Sequence, residues 1–231
     1  MVQLSPDLMK GRFQRRLNRF AALVEVSGQV EMVHIANSGR LGELLIPDYE
    51  MLLTPVNGVH RKCPYDLTLV DTGKALVSLD SRLPNLLFEE AFKIGSLTDF
   101  TDYQFINREI TYGESRIDIL LNGLASDCFV ETKSVTLVEN GIARFPDAPT
   151  SRGVKHLNHL SDAKSNGYDA AIVFVVQRSD VSSLRPDYKS DPDFVEALER
   201  AVKNDVKVIA YSCEITNSHI SLSARIPVDI S

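Results

Sequence analysis

The chain has 231 residues, 44% hydrophobic and 24% charged, with a formal net charge of -6. This is room for one large globular domain or two modest ones, and the acidic balance excludes a protein coated in positive charge, so any nucleic-acid surface must be local. Three widely separated cysteines, Cys63, Cys128 and Cys213, with no Cys-x-x-Cys pair, argue against a zinc ribbon or a disulfide framework and favour a reducing cytoplasm.

The N-terminus lacks the apolar stretch of a signal peptide, and no apolar run has the length of a membrane span. The first eighty or so residues read as β. Strands are expected at Phe20 to Val26 and Gln29 to Ile35, separated by the turn signal Ser27-Gly28. Others are expected near Leu44, at Met51 to Val56, at Tyr65 to Val70 and at Ala75 to Leu79. Short strands at such spacing indicate a small barrel or sandwich. The texture changes near residue 82, which sets expected domains of 1–82 and 83–231. A helix over Asn85 to Ile94 follows, then strands over Gln104 to Tyr112, Ile117 to Leu121 and Cys128 to Leu137. Thr150 or Ser151 caps a helix that Gly167 stops. Ala170 to Val176 is a continuous apolar run, the mark of a central strand buried on both faces. Asp191-Pro192 opens another helix, and Val206 to Ala210 and Ile220 to Ile226 close the chain as strands. The order predicts an α/β second domain with a mixed sheet.

The chemistry concentrates on Asp118, Glu131 and Lys133. Glu131 and Lys133 are two residues apart on an apolar strand, so they share a face, while Val130 and Thr132 point the other way. Ionised groups in such a setting are costly unless they pair or bind something. An Asp from the preceding strand brings a second carboxylate to the same point. Two carboxylates suit Mg²⁺, which activates water and steadies phosphate charge, with the lysine orienting the attacking water. The ordinary alternative is an ion pair on a solvated strand.

Lys10 to Phe20 holds five basic residues and no acid, a local footprint for a phosphate backbone through Arg12, Arg15, Arg16 and Arg19. Phe13 is a candidate base-stacking platform there, with burial in the core as the alternative. Arg40, His60, Arg61 and Lys62 extend the footprint if the barrel gathers their loops. Glu114 is a further candidate acid or a partner for Arg116. His156 and His159 sit three apart on the expected helix, but no third zinc ligand stands at a recognisable spacing.

Phe145-Pro146-Asp147-Ala148, then Thr150-Ser151-Arg152-Gly153 and Lys155-His156-Leu157, resembles the sugar fermentation stimulation protein A family. The order also matches through Ser115 to Asp118 and Val130 to Leu137. The resemblance implies an N-terminal OB-like β-barrel followed by a PD-(D/E)xK nuclease-like α/β domain, with DNA as the partner and Mg²⁺ or Mn²⁺ as cofactor. It implies that Asp118, Glu131 and Lys133 are the nuclease motif and that Glu90 is a further acid on the preceding helix. Arg152 and Lys155 become candidate phosphate contacts. The function so implied is DNA binding with metal-dependent phosphodiester hydrolysis; the alternative is non-catalytic DNA binding on a nuclease-like scaffold.

Overall fold

The computed structural model describes residues 1–58, 61–113 and 115–230, the side chain of Ser115 excepted. A short strand, β1 (Val2–Gln3), precedes the barrel strands β2 (Met9–Asn18), β3 (Ala21–Val26), β4 (Gln29–His34), β5 (Glu50–Pro55), β6 (Tyr65–Asp71) and β7 (Leu76–Ser78). Their order is β4-β3-β2-β5-β6-β7, and the parallel pairing of Val33 and His34 with Tyr65 and Asp66 closes β2 to β6 into a barrel. Alternate residues of each strand fill it, among them Phe13, Val24, Val33, Met51, Leu53, Leu67 and Val70.

The strand expected near Leu44 does not form. Leu41, Leu44 and Leu45 instead sit in a turn whose Leu44 and Leu45 amides bond Leu41 O, and all three are buried in the barrel core. Their spacing of three and four is that of a helical turn, which lets a short loop plug the barrel where a strand would expose every second residue.

The second domain comprises α1 (Leu83–Lys93), β8 (Tyr103–Tyr112), β9 (Ser115–Gly123), β10 (Cys128–Val135), β11 (Val138–Glu139), β12 (Ile142–Phe145), α2 (Ser151–Ser165), β13 (Asp169–Val176), β14 (Ser183–Pro186), α3 (Pro192–Lys203), β15 (Lys207–Ile215) and β16 (His219–Ile226). Among the described residues its main sheet has the order β1-β16-β15-β13-β10-β9-β8, with β10, β13 and β15 parallel to one another and the outer pairings antiparallel. Helix α1 covers one face, through Leu83, Leu87, Phe88 and Ala91 against Val130, Val173 and Ile209. Helices α2 and α3 cover the other, through Leu157, Leu160, Phe194 and Leu198 against Phe129, Ile172 and Phe174. Burial on both faces accounts for the unbroken apolar text of β13.

The helix ends follow the sequence signals. Thr150 Oγ1 accepts from Gly153 N at 3.0 Å, Asp191 accepts from Phe194 N at 3.1 Å, and Gly167 leaves α2 at φ +87°. Between the domains, Ser78 N donates to Gln177 O at 3.0 Å, while the Gln177 amide donates to Asp80 O and to Ser134 Oγ. Residues 2–3 lie outside the barrel: β1 pairs with β16, at the edge of the second domain's sheet.

Candidate active site between the domains

Strand β10 carries the site because its two faces do different work. Val130 packs under α1, whereas Phe129 and Val135 pack under α2 and α3, so Glu131 and Lys133 point toward the α2 side as their parity requires. The ladder to β9 runs from Cys128 opposite Leu121 to Val130 opposite Ile119. Beyond it, the Asp118 side chain satisfies the next β10 amide: Oδ2 accepts from Thr132 N at 2.9 Å and lies 3.2 Å from Thr132 Oγ1. Strand β9 changes face at this point, since Ile117 belongs to the core under α2 and Ile119 to the core under α1. Asn85, in the first turns of α1, shares the Thr132 hydroxyl with Asp118.

Glu131 is only 2% exposed. Its Oε1 accepts from Lys133 Nζ at 2.5 Å and bonds His156 Nδ1, while Oε2 is buried without a hydrogen-bond partner among the described residues. Arg152 Nε donates to His156 Nε2 at 3.2 Å. A guanidinium only donates, so Nε2 is the acceptor, and the imidazole presents its Nδ1 proton to Glu131. Burial pushes the Glu131 carboxyl up, but the charge of Lys133 and the hydrogen bonds from Lys133 and His156 outweigh it and hold the group below the ordinary glutamate range.

These groups form one wall and the floor of a cavity of about 370 Å³. Asp118, Glu131, Lys133 and Arg152 contribute from the second domain, and Arg19 and residues 37–39 from the barrel. Asp147, to which the sequence assigned no chemistry, closes the rim by accepting from Arg40 N at 2.8 Å. The loop that carries it turns at a cis Phe145-Pro146 peptide.

Other sequence candidates lie elsewhere. Glu90 is not brought to Asp118 and Glu131: its carboxylate is 3.6 Å from the Met1 amino group, and Asn85 is the α1 residue that reaches the site. Glu90 is more than one helical turn further along α1, too far to follow Asn85 into the cavity. Lys155 is exposed on α2 and does not line the cavity. Arg12 and Arg15 are exposed on β2 and do not line it either; Arg12 pairs in register with Glu25 on one side and Glu50 on the other. Arg16 turns inward and donates to the carbonyls of Asn18, Arg19, Asn37, Gly39 and Arg40, which makes it a brace for two loops. Phe13 is buried in the barrel core and unavailable for stacking, because its β2 parity faces inward. Arg61 pairs with Asp66. His60 and Glu114 lie outside the described residues. Among the described residues no group of three or more His, Cys, Asp or Glu side chains is arranged to hold a metal.

The sequence missed Asn85 and the partnership of His156 with Glu131. Only the latter left a signal, the spacing of four between Arg152 and His156 on a capped helix.

An OB barrel and an α/β domain, meeting at a carboxylate-floored cleft, define the architecture. The model of the SfsA N-terminal OB domain matches residues 15–79, and that of the sugar fermentation stimulation protein RE domain matches residues 82–219. The chain belongs to the sugar fermentation stimulation protein family. Homologues of that name from Clostridium kluyveri and Moorella thermoacetica are each 43% identical, over 97% of this chain and 98% of the relative in the first case and 100% of both in the second. The structure of Pyrococcus furiosus SfsA in complex with Ca²⁺ is similar at a TM-score of 0.89 and 33% identity, covering 99% of each chain. No helix among the described residues is long and apolar enough to cross a membrane.

Proposed function

We propose that this protein binds nucleic acid, DNA in the first instance, and hydrolyses its phosphodiester bonds with a divalent metal. The observation that carries the reading is Glu131 Oε2, a buried carboxylate oxygen unpartnered among the described residues, in a cavity that Asp118 also lines. A buried oxygen without a donor is costly unless something binds there. Two carboxylates fit Mg²⁺ or Mn²⁺, because such ions need few protein oxygens and keep several waters. Asp118 and Glu131 are the residues that would hold the ion, and the Ca²⁺ in the Pyrococcus relative supports a divalent cation in this family. When bound, the metal supplies Lewis acidity toward a phosphate oxygen and lowers the pKa of a bound water.

The chain's own residues do the rest. Lys133 stands beside Glu131, where its ammonium orients the attacking water. Arg152 faces the cavity from the first turn of α2 and offsets charge on the phosphate. His156 keeps Glu131 in place. The second reading, nucleic-acid binding without hydrolysis, draws on the missing third ligand among the described residues.

The test incubates the purified protein with labelled DNA and RNA, in Mg²⁺, Mn²⁺ or EDTA, beside Lys133→Ala and Asp118→Asn. Metal-dependent cleavage lost in both variants is the expected result. Intact nucleic acid throughout would overturn hydrolysis and leave the binding reading.

A further inference from the structure

We infer that the occupant of this cleft is one unpaired nucleic-acid strand, led to the carboxylates along a furrow over Arg19 and Arg40; the inference rests on the nucleic-acid reading above. The furrow measures about 570 Å³ and shares Arg19, Ser38, Gly39, Ala148 and Pro149 with the cavity that holds Asp118 and Glu131. The two spaces therefore adjoin at these five residues, the outer one beside Arg40 and the inner one beside Asp118 and Glu131.

The size of the inner cavity favours a single strand. The inner cavity, at about 370 Å³, is at the small end of ligand pockets, typically about 300–1,000 Å³. That is room for about one nucleotide and too little for a base pair with both of its strands. A phosphate must still descend to Glu131, which is almost fully buried.

The walls are also held against widening. Arg40 N is bonded to Asp147, and the Arg16 guanidinium clasps the carbonyls of Asn37, Gly39 and Arg40. A third tie, Ser78 N to Gln177 O, fixes the barrel to the second domain.

Charge fits the same occupant. Arg19 and Arg40 are exposed along the track, with Arg152 at its inner end. Arg12 and Arg15, on the open face of β2, line neither space.

The experiment measures fluorescence anisotropy of the full chain with labelled oligonucleotides, single-stranded and as blunt duplexes, in DNA and RNA forms. Ca²⁺ replaces Mg²⁺, and oligonucleotide integrity is checked after each titration. A length of about 12 nucleotides covers an OB-fold site. A single strand of either sugar is expected to bind at least about tenfold tighter than its duplex, about 1.4 kcal/mol. Arg19→Ala and Arg40→Ala each reduce that affinity and flatten the logarithmic salt dependence by about 0.7 for each phosphate left without its cation. Arg12→Ala and Arg15→Ala leave both unchanged. All four side chains are exposed, so thermal melts are expected to match the parent. Duplex binding equal to or tighter than single-strand binding overturns the inference, and so does an equal loss in the Arg12 and Arg15 variants. If such a protein still cleaves in Mg²⁺, hydrolysis stands and only the single-strand track falls. Absence of binding to every oligonucleotide overturns both.

Discussion

Asp147 Oδ2 accepts the backbone N–H of Arg40 at 2.8 Å, a bond between residues 107 positions apart that joins the barrel to the second domain at the rim of the cleft. The contact needs a glycine beside it. A Cβ on Gly39 would stand 2.6 Å from Asp147 Oδ2 and 3.0 Å from Asn37 Oδ1.

Gly39→Ala is therefore expected to lower stability by about 1–3 kcal/mol, the usual cost of forcing an atom into a packed site. Gly42→Ala is the control, since nothing among the described residues lies within 4 Å of a Cβ placed there. Urea denaturation of the two variants checks this. Equal midpoints would mean that the rim contact contributes nothing.

His156 is 4% exposed and bonds Glu131 on one side and Arg152 on the other. His156→Ala strips a partner from a buried carboxylate, at an expected cost of about 1–3 kcal/mol in urea unfolding. Hydrolysis by the folded protein falls as well, because Glu131 loses the group that fixes its orientation. His156→Asn, which retains an N–H donor on a short side chain, is expected to recover more of both than alanine does. Identical behaviour of the two variants would assign His156 a packing role only.

Arg178, buried to 7% exposure, donates from Nε and Nη2 to Asp180 at 2.6 and 2.8 Å and from Nη1 to Thr136 O at 3.0 Å. The hydrogen bonds of Arg178 hold the Asp180 carboxyl below the ordinary aspartate range, against the opposing effect of burial. A depressed folded pKa adds stability above the unfolded value, about 3.9, and loses it as pH falls through the lower folded value. Asp180→Asn is accordingly expected to melt below the parent at pH 7, with the gap closing in the acid range beneath about pH 4. A pH-independent gap would contradict the linkage.

Phe13 is expected to matter to the barrel and not to its ligands. Phe13→Ala should cost about 3–5 kcal/mol, as loss of a buried aromatic does. Oligonucleotide affinity of the remaining folded protein should be unchanged. A loss of affinity at full folding would give the ring a binding role.

Strand parity made the second domain's chemistry readable. It put Glu131 and Lys133 on one face of β10, and the structure agrees. The caps at Thr150 and Asp191 were legible for the same reason: each depends on residues three apart. What the sequence hid was whatever depends on long-range approach. Whether Glu90 or Asn85 enters the cavity depends on how α1 rolls on the sheet, which no local pattern encodes. Arg16 reads as a surface cation in a basic run, yet its carbonyl partners lie on loops brought together only by barrel closure. The polar role of Asp147 needed both domains to be in place.

The pairing of Val2 and Gln3 with Ile220 and His219 bears on how the molecule is made. The earliest of these residues to leave the ribosome find their partners only when the last strand emerges. The barrel between them can close on local contacts long before that, leaving β1 unpaired ahead of it. Completion of the seven-stranded sheet then joins β1 to β16, so a ribosome stalled short of β16 leaves a folded barrel preceded by an unpaired β1.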